Sequence, residues 1–215
     1  MRQVLGASAF EADREWLRVP PVFPGMTVGL FGGSFNPPHQ GHRNASLTAL
    51  KRCGLSEVWW LVTPGNPLKD HRNLAPLEAR VMRAAAVADH PRIRVTAFEA
   101  AAGLSFTADT IRYLTDRRHQ VRFVWIMGAD NLSNFHHWQD WRSIMARVAV
   151  VVIDRPGDRL AASSAPAAQA YRRFRVDERE AASLAWRDRP AWMFLKCPLD
   201  PSSSTELRKT NCESA

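Results

Sequence analysis

Short apolar runs alternate along this chain with stretches in which apolar residues recur every three to four positions. Thr27 to Phe31, Glu57 to Val62, Ile93 to Thr96, Val121 to Met127, Val148 to Ile153 and Trp192 to Leu195 are rich in β-branched and aromatic residues and predict six strands. Helical spacing predicts helices from about Gly41 to Arg52, from Pro76 through Ala79 to Ala88, from Thr107 to Arg117 and around Trp138 to Met145. The Pro-, Ala- and Ser-rich stretch Pro156 to Ala170 reads as a loop leading into a further helix. Strands apolar at successive positions belong in a parallel sheet covered on both faces. The expected fold is therefore α/β, a Rossmann-like open parallel sheet with helices on both faces, in a single domain. Residues 1–26, broken by Pro20, Pro21 and Pro24, read as an N-terminal extension ahead of a domain over 27–215.

Composition narrows the partners. With 215 residues, 46% apolar and 23% charged, the chain has the size and balance of one globular unit with a substantial core. A formal net charge of +8 favours anionic partners, but the basic residues are dispersed, with no lysine-rich tail. A basic nucleic-acid-binding module is thus an alternative from charge alone, and no nucleic-acid partner is expected. Cys53, Cys197 and Cys212 are odd in number and widely spaced, which suggests neither a disulfide framework nor a cysteine zinc site and fits a reducing cytoplasm. Met1 to Trp16 carries Glu11, Asp13, Arg14 and Glu15 without an apolar run, and no later stretch has the length of a membrane span, so no membrane partner is expected.

In an open parallel sheet, ligands bind beyond the carboxyl ends of the strands. The unusual clusters of this sequence fall there: Gly32 to His42, Thr63 to Asp70, Gly128 to Asp130, Asp154 to Gly157 and Ser202 to Arg208. Gly32 and Gly33 let a backbone approach phosphate closely, a feature that a tight turn would explain equally well. His39 and His42 lie three residues apart at the mouth of a helix, where both can donate to phosphate oxygens or one can simply cap the helix. No third ligand stands at zinc spacing, so no protein-held metal is expected. Ser203 and Glu206 have capping-box spacing, so a helix should start there with Ser204, Thr205 and the Arg208 fork available to an anion. Asp130 can cap the following helix and accept from ribose hydroxyls, and one carboxylate is read here as serving in both ways. In the aromatic segment Phe135 to Trp141, an indole face can stack on a flat ring, while Phe135 and Trp141 read as core. Neither a Walker A sequence nor a Gly-x-Gly-x-x-Gly fingerprint occurs, which disfavours a P-loop ATPase and a dehydrogenase.

The segment Gly32-Gly33-Ser34-Phe35-Asn36-Pro37-Pro38-His39-Gln40-Gly41-His42 resembles the signature of the bacterial nicotinate-nucleotide adenylyltransferases, members of the nucleotidylyltransferase superfamily with its His-x-Gly-His motif. Ser203 to Arg208 resembles the superfamily's Ser-Ser-Thr-x-Ile-Arg motif, and the likeness runs from about Thr27 to Arg208. The resemblance implies transfer of adenylate from ATP to nicotinate mononucleotide, with Mg2+ arriving on ATP. It implies an ATP site made of Gly32, Gly33, Ser34, Phe35, His39, His42, Gly128, Asp130, Ser204, Thr205 and Arg208, with His39, His42 and Arg208 stabilising the transferring phosphate. It further implies that Trp138 stacks on the pyridine ring, that Thr107 lies near its carboxylate, and that Arg155 and Lys69 meet the mononucleotide phosphate. Phe106 departs from the family's Ser-Tyr-Thr-x-Asp-Thr pattern, where a tyrosine is usual, and loses a hydroxyl. Neighbouring readings are adenylyltransferases acting on nicotinamide mononucleotide or phosphopantetheine.

Overall fold

The computed structural model describes residues 14–65, 74–154 and 162–197. Six strands form one all-parallel sheet: β1 Thr27–Gly33, β2 Glu57–Val62, β3 Ile93–Thr96, β4 Arg122–Gly128, β5 Ala149–Asp154 and β6 Trp192–Lys196, in the order β3-β2-β1-β4-β5-β6. The helices are α1 Gln40–Arg52, α2 Leu77–Ala88, α3 Phe98–Ala101, α4 Thr107–Arg117, α5 Ala129–Asn134, α6 Trp141–Arg147 and α7 Pro166–Ala170, with a 3-10 segment at Glu178–Trp186.

The strands read as continuous apolar runs because their alternate residues enter two different cores. Phe31, Val58, Trp60, Val62, Val124, Ile126, Val151 and Ile153 face one side, where Ala45, Ala49 and Leu50 of α1, Val81, Ala84 and Ala88 of α2, and Leu184 of the 3-10 segment cover them. Val28, Leu30, Trp59, Leu61, Phe123, Trp125, Met127, Val150 and Val152 face the other side, against Ile111 and Leu114 of α4 and Ile144 and Met145 of α6. Both faces are thus covered, as the sequence pattern requires.

Two boundaries differ from the sequence reading, with consequences for the site. β1 continues through Gly32 and Gly33, which pair in register with Leu61 and Val62 of β2, so the glycines end the strand rather than open the loop. The helix expected around Trp138 begins only at Trp141, because Asp140 takes a left-handed conformation (φ 47°) and leaves Trp138 in extended backbone before it. Ahead of β1, Trp16 is buried, and its carbonyl accepts from the Ala97 N–H at 2.6 Å and from Thr96 Oγ1 at 3.1 Å, fastening this segment to the β3 edge.

The strand order turns back between β1 and β4, which are hydrogen-bonded neighbours although far apart in sequence. Connections leaving such a pair depart to opposite sides and open a crevice at the carboxyl ends, where ligands bind. Here those ends are Gly33 and Gly128.

Candidate active site

At the end of β1 the chain turns through Phe35, a non-glycine residue at φ 46°. That conformation is unfavourable for an L-residue, costing about 1–2 kcal/mol, and it is held by packing. The Phe35 ring is 1% exposed and stacks on Trp60 at 4.8 Å and 12°, with the edge of Phe31 at 6.0 Å. The ring of Phe35 is therefore part of the core, and a contact from this residue to a nucleotide would come from its backbone.

His39 and His42 sit on this platform. His39 is the N-cap of α1, and the two histidines stand in a capping-box arrangement: the His39 carbonyl accepts the His42 N–H at 3.0 Å, and Nδ1 of His42 accepts the His39 N–H at 3.2 Å. The capping reading is thus realised, with the His42 ring closing back on the cap residue. With Nδ1 of His42 an acceptor, the neutral ring carries its proton on Nε2 and can donate from there. The rings lie 3.8 Å apart, and His42 also packs on Phe35 at 5.0 Å. Below them Trp60 Nε1 donates to Ser46 Oγ at 2.7 Å, which donates to the His42 carbonyl at 2.9 Å, so the buried end of the assembly is hydrogen-bonded throughout. The cap also places both imidazoles at the positive end of the helix dipole.

Across the crevice, Gly128 occupies the N-cap of α5, leaving Asp130 exposed in the first turn. Asp130 is therefore not the cap, and its carboxylate stands at the end of β4. A Cβ on Gly128 would collide with Oδ1 of Asp130, so the absence of a side chain there lets the carboxylate lie over the strand end. Gly32 has a similar constraint: a Cβ would come within 2.6 Å of Trp125.

Beside this crevice lies a cavity of about 80 Å³ lined by Thr63, Gly65, Ser105, Phe106, Thr107, Trp138 and Gln139. Trp138 and Thr107, distant in sequence, thus share one wall. The indole is braced edge-on by Phe135 at 5.3 Å and Trp125 at 6.2 Å, while Thr107 begins α4 and points its first turn into the cavity. Phe135 and Trp141 are buried, as expected of core aromatics. The Thr63 N–H donates to the Gly33 carbonyl at 3.1 Å, joining the cavity wall to the end of β1.

Lys69, Arg155, Ser204, Thr205 and Arg208 lie outside the described residues. Of the remaining candidates, Gly32, Gly33, Ser34, His39 and His42 gather at the end of β1, Gly128 and Asp130 at the end of β4, and Thr107 and Trp138 in the adjoining cavity.

Sequence reasoning missed Arg80. It is 1% exposed, and its guanidinium donates to four main-chain carbonyls around the site. A signal existed: Leu77, Arg80, Val81, Ala84 and Ala88 share the apolar stripe of α2, where an arginine is out of place unless its charge is hydrogen-bonded. Glu99 was also missed. It is buried, accepts from Thr110 Oγ1 at 2.6 Å, and has its carboxyl pushed up to about 6 by burial, against the lowering effect of that hydrogen bond. Among the described residues, no group of three or more His, Cys, Asp and Glu side chains is arranged to hold a metal ion, and no helix is long and apolar enough to cross a membrane.

Residues 30–210 match the cytidylyltransferase-like family. A protein of Rhizobium meliloti named probable nicotinate-nucleotide adenylyltransferase is 56% identical over 183 residues, covering 85% of this chain and 97% of that protein. Proteins of the same name from Methylorubrum extorquens and Brucella abortus are 55% and 51% identical, over 99% and 98% of their own lengths and 85% and 88% of this chain. The Plasmodium falciparum nicotinic acid mononucleotide adenylyltransferase, solved with NaAD, shares the fold with a TM-score of 0.60 at 17% identity, over 86% of this chain and 83% of its own. The chain belongs to the cytidylyltransferase-like family and, within it, to the nicotinate-nucleotide adenylyltransferases.

Proposed function

We propose that this protein transfers the adenylyl group of ATP to nicotinate mononucleotide, giving nicotinate adenine dinucleotide and pyrophosphate in NAD biosynthesis. The observation that carries the reading is the pairing of two sites at one sheet edge: the capped histidines at the end of β1 and the indole-walled cavity between Thr63, Thr107 and Trp138.

A phosphate oxygen of the mononucleotide attacks the α-phosphorus of ATP, and the bond from that phosphorus to the bridging oxygen breaks with release of pyrophosphate. No protein nucleophile is required, so the work of the chain is alignment and stabilisation of charge. His39 and His42 donate to the ATP phosphates from the start of α1, with the backbone of Gly32, Gly33, Ser34 and Phe35 beneath. Asp130 accepts from the adenylate ribose, placed by Gly128. Trp138 stacks on the pyridine ring and the start of α4 at Thr107 receives its carboxylate. Ser204, Thr205 and Arg208 close over the phosphates, and Lys69 and Arg155 meet the mononucleotide phosphate; these roles rest on motif resemblance. A magnesium ion carried on ATP would offset the charge of its phosphates. Cys53 and Cys197, both free thiols, suit the reducing cytoplasm we assign to it.

The test incubates purified protein with Mg-ATP and, in separate reactions, nicotinate mononucleotide, its amide and phosphopantetheine, following pyrophosphate and adenylylated product. Product with nicotinate mononucleotide well above the others is expected. A preference for either alternative would reassign the acceptor, and no product in any reaction would end the proposal.

A further inference from the structure

Arg80 lies on α2, outside both the phosphate loop and the cavity, yet its guanidinium reaches the main chain of three segments. One terminal nitrogen donates to the Ser34 carbonyl and to the Thr63 carbonyl, each at 2.8 Å; the other donates to the Pro64 carbonyl at 3.3 Å; and Nε donates to the Ala75 carbonyl at 2.8 Å. Ser34 belongs to the loop that leaves β1, Thr63 and Pro64 to the loop that leaves β2, and Ala75 to the approach to α2. Ala75 is tied to the first loop as well, its N–H donating to Asn36 Oδ1 at 3.4 Å.

The convergence has a physical origin. Parallel strands that end side by side leave carbonyls beyond the last rung of the ladder, and a buried carbonyl without a donor is costly, about 1–3 kcal/mol each. A planar fork with several N–H groups satisfies such a cluster from one point, which an ammonium cannot do with the same geometry. Among the described residues every hydrogen-bond partner of Arg80 is a carbonyl, so the positive charge stays un-neutralised beneath loops that face anionic substrates. Burial pushes the guanidinium's pKa down, and the group still remains charged at neutral pH.

The two loops serve different substrates in the reading above. Ser34 lies in the nucleotide loop, whereas Thr63, with Gly65, lines the indole-walled cavity. We propose that Arg80 is a positioning residue that fixes the separation of the ATP and mononucleotide subsites by hydrogen-bonding the main chain of both at once. This inference rests on the proposed adenylyl transfer for its kinetic consequence, but not for its structural one. Transfer between two bound substrates depends steeply on relative placement, and a displacement of about 1 Å costs on the order of 100-fold in rate. Loss of the fork should therefore slow turnover more than it weakens either substrate alone.

The experiment compares full-length wild type with Arg80→Lys, which keeps the charge without the fork, and Arg80→Met, which keeps most of the volume. Far-UV circular dichroism and thermal unfolding measure the folded fraction, and calorimetry measures each substrate's Kd separately, with a non-hydrolysable ATP analogue in place of ATP. Hydrogen–deuterium exchange follows residues 33–36 and 63–65, with β5 as an internal reference. The expected result for folded Arg80→Lys is a kcat about 100-fold lower, separate Kd values within about threefold of wild type, and faster exchange in both loops together while β5 is unchanged. Wild-type kcat in the folded variant, a loss explained wholly by one substrate's Kd, or faster exchange in only one loop would each overturn the proposal. If wild type forms no dinucleotide, the failure is that of the assigned reaction, and the exchange measurement still decides whether Arg80 couples the loops. Should Arg80→Met fail to fold, Arg80→Lys carries the test.

Discussion

Glu99 provides the prediction most directly worked from the structure. Its side chain is 6% exposed at the start of α3, beneath the α4 helix whose first turn lines the cavity. Thr110 Oγ1 donates to Oε1 at 2.6 Å, whereas Oε2 has no hydrogen-bond partner among the described residues. Burial therefore dominates and raises the carboxyl from its usual 4.5 to about 6, with the Thr110 hydrogen bond opposing. At about 1.4 kcal/mol per tenfold change in proton affinity, ionising Glu99 in the folded protein costs about 2 kcal/mol relative to the unfolded chain. The sign follows from proton binding. Between pH 4.5 and about 6 the folded state holds the proton more tightly, so the favourable contribution is fully present below about 4.5 and is lost as the pH rises through about 6. Glu99→Gln removes the titration while keeping an oxygen to accept from Thr110. It should raise stability at pH 7.5 by about 2 kcal/mol, or roughly 4–8 °C in Tm for a chain of this size. Urea unfolding of both proteins at half-unit steps from pH 4.5 to 7.5 measures the difference. Parallel curves, with the same fall in both proteins, would refute the reasoning.

Other predictions concern the site. His42→Ala should lower kcat by at least about 100-fold while removing one half of the capping box, a stability loss of only about 1 kcal/mol; steady-state kinetics beside thermal unfolding separate the two, and wild-type turnover would remove His42 from the phosphate site. Trp138→Ala should raise the mononucleotide Kd about tenfold or more and leave that of an ATP analogue within about twofold, measured by calorimetry; equal loss of both would make the indole a core residue. Gly128→Ala must displace the exposed Asp130 carboxylate, which a Cβ at 128 would strike, and should raise the KM for ATP with little change in Tm; an unchanged KM would detach Asp130 from the ribose. Gly32→Ala should cost about 1–3 kcal/mol by overpacking, because the added carbon meets the nearly buried Trp125 ring at 2.6 Å, and unfolding by urea reads that loss directly.

The periodicity of the sequence determined the six strands, most of the helices and the two-faced sheet, since each depends on spacing within one segment. The expected alternation put His39, His42 and Asp130 beyond the carboxyl ends of strands, where they lie, and the motif spanning Gly32 to His42 named the family that the relatives then established. Tertiary structure decided what spacing cannot express. That the Phe35 ring stacks on Trp60 and that Gly32 closes on Trp125 both depend on which strands become neighbours. Asp140 breaks the helical register after Trp138 through a left-handed backbone that the aromatic pattern around it concealed. Arg80 is the extreme case: a helix-face arginine acquires its partners only when the loops leaving β1 and β2 and the approach to α2 bring four carbonyls to one point. Local pattern fixes which face of an element is buried, and strand order fixes what that face meets.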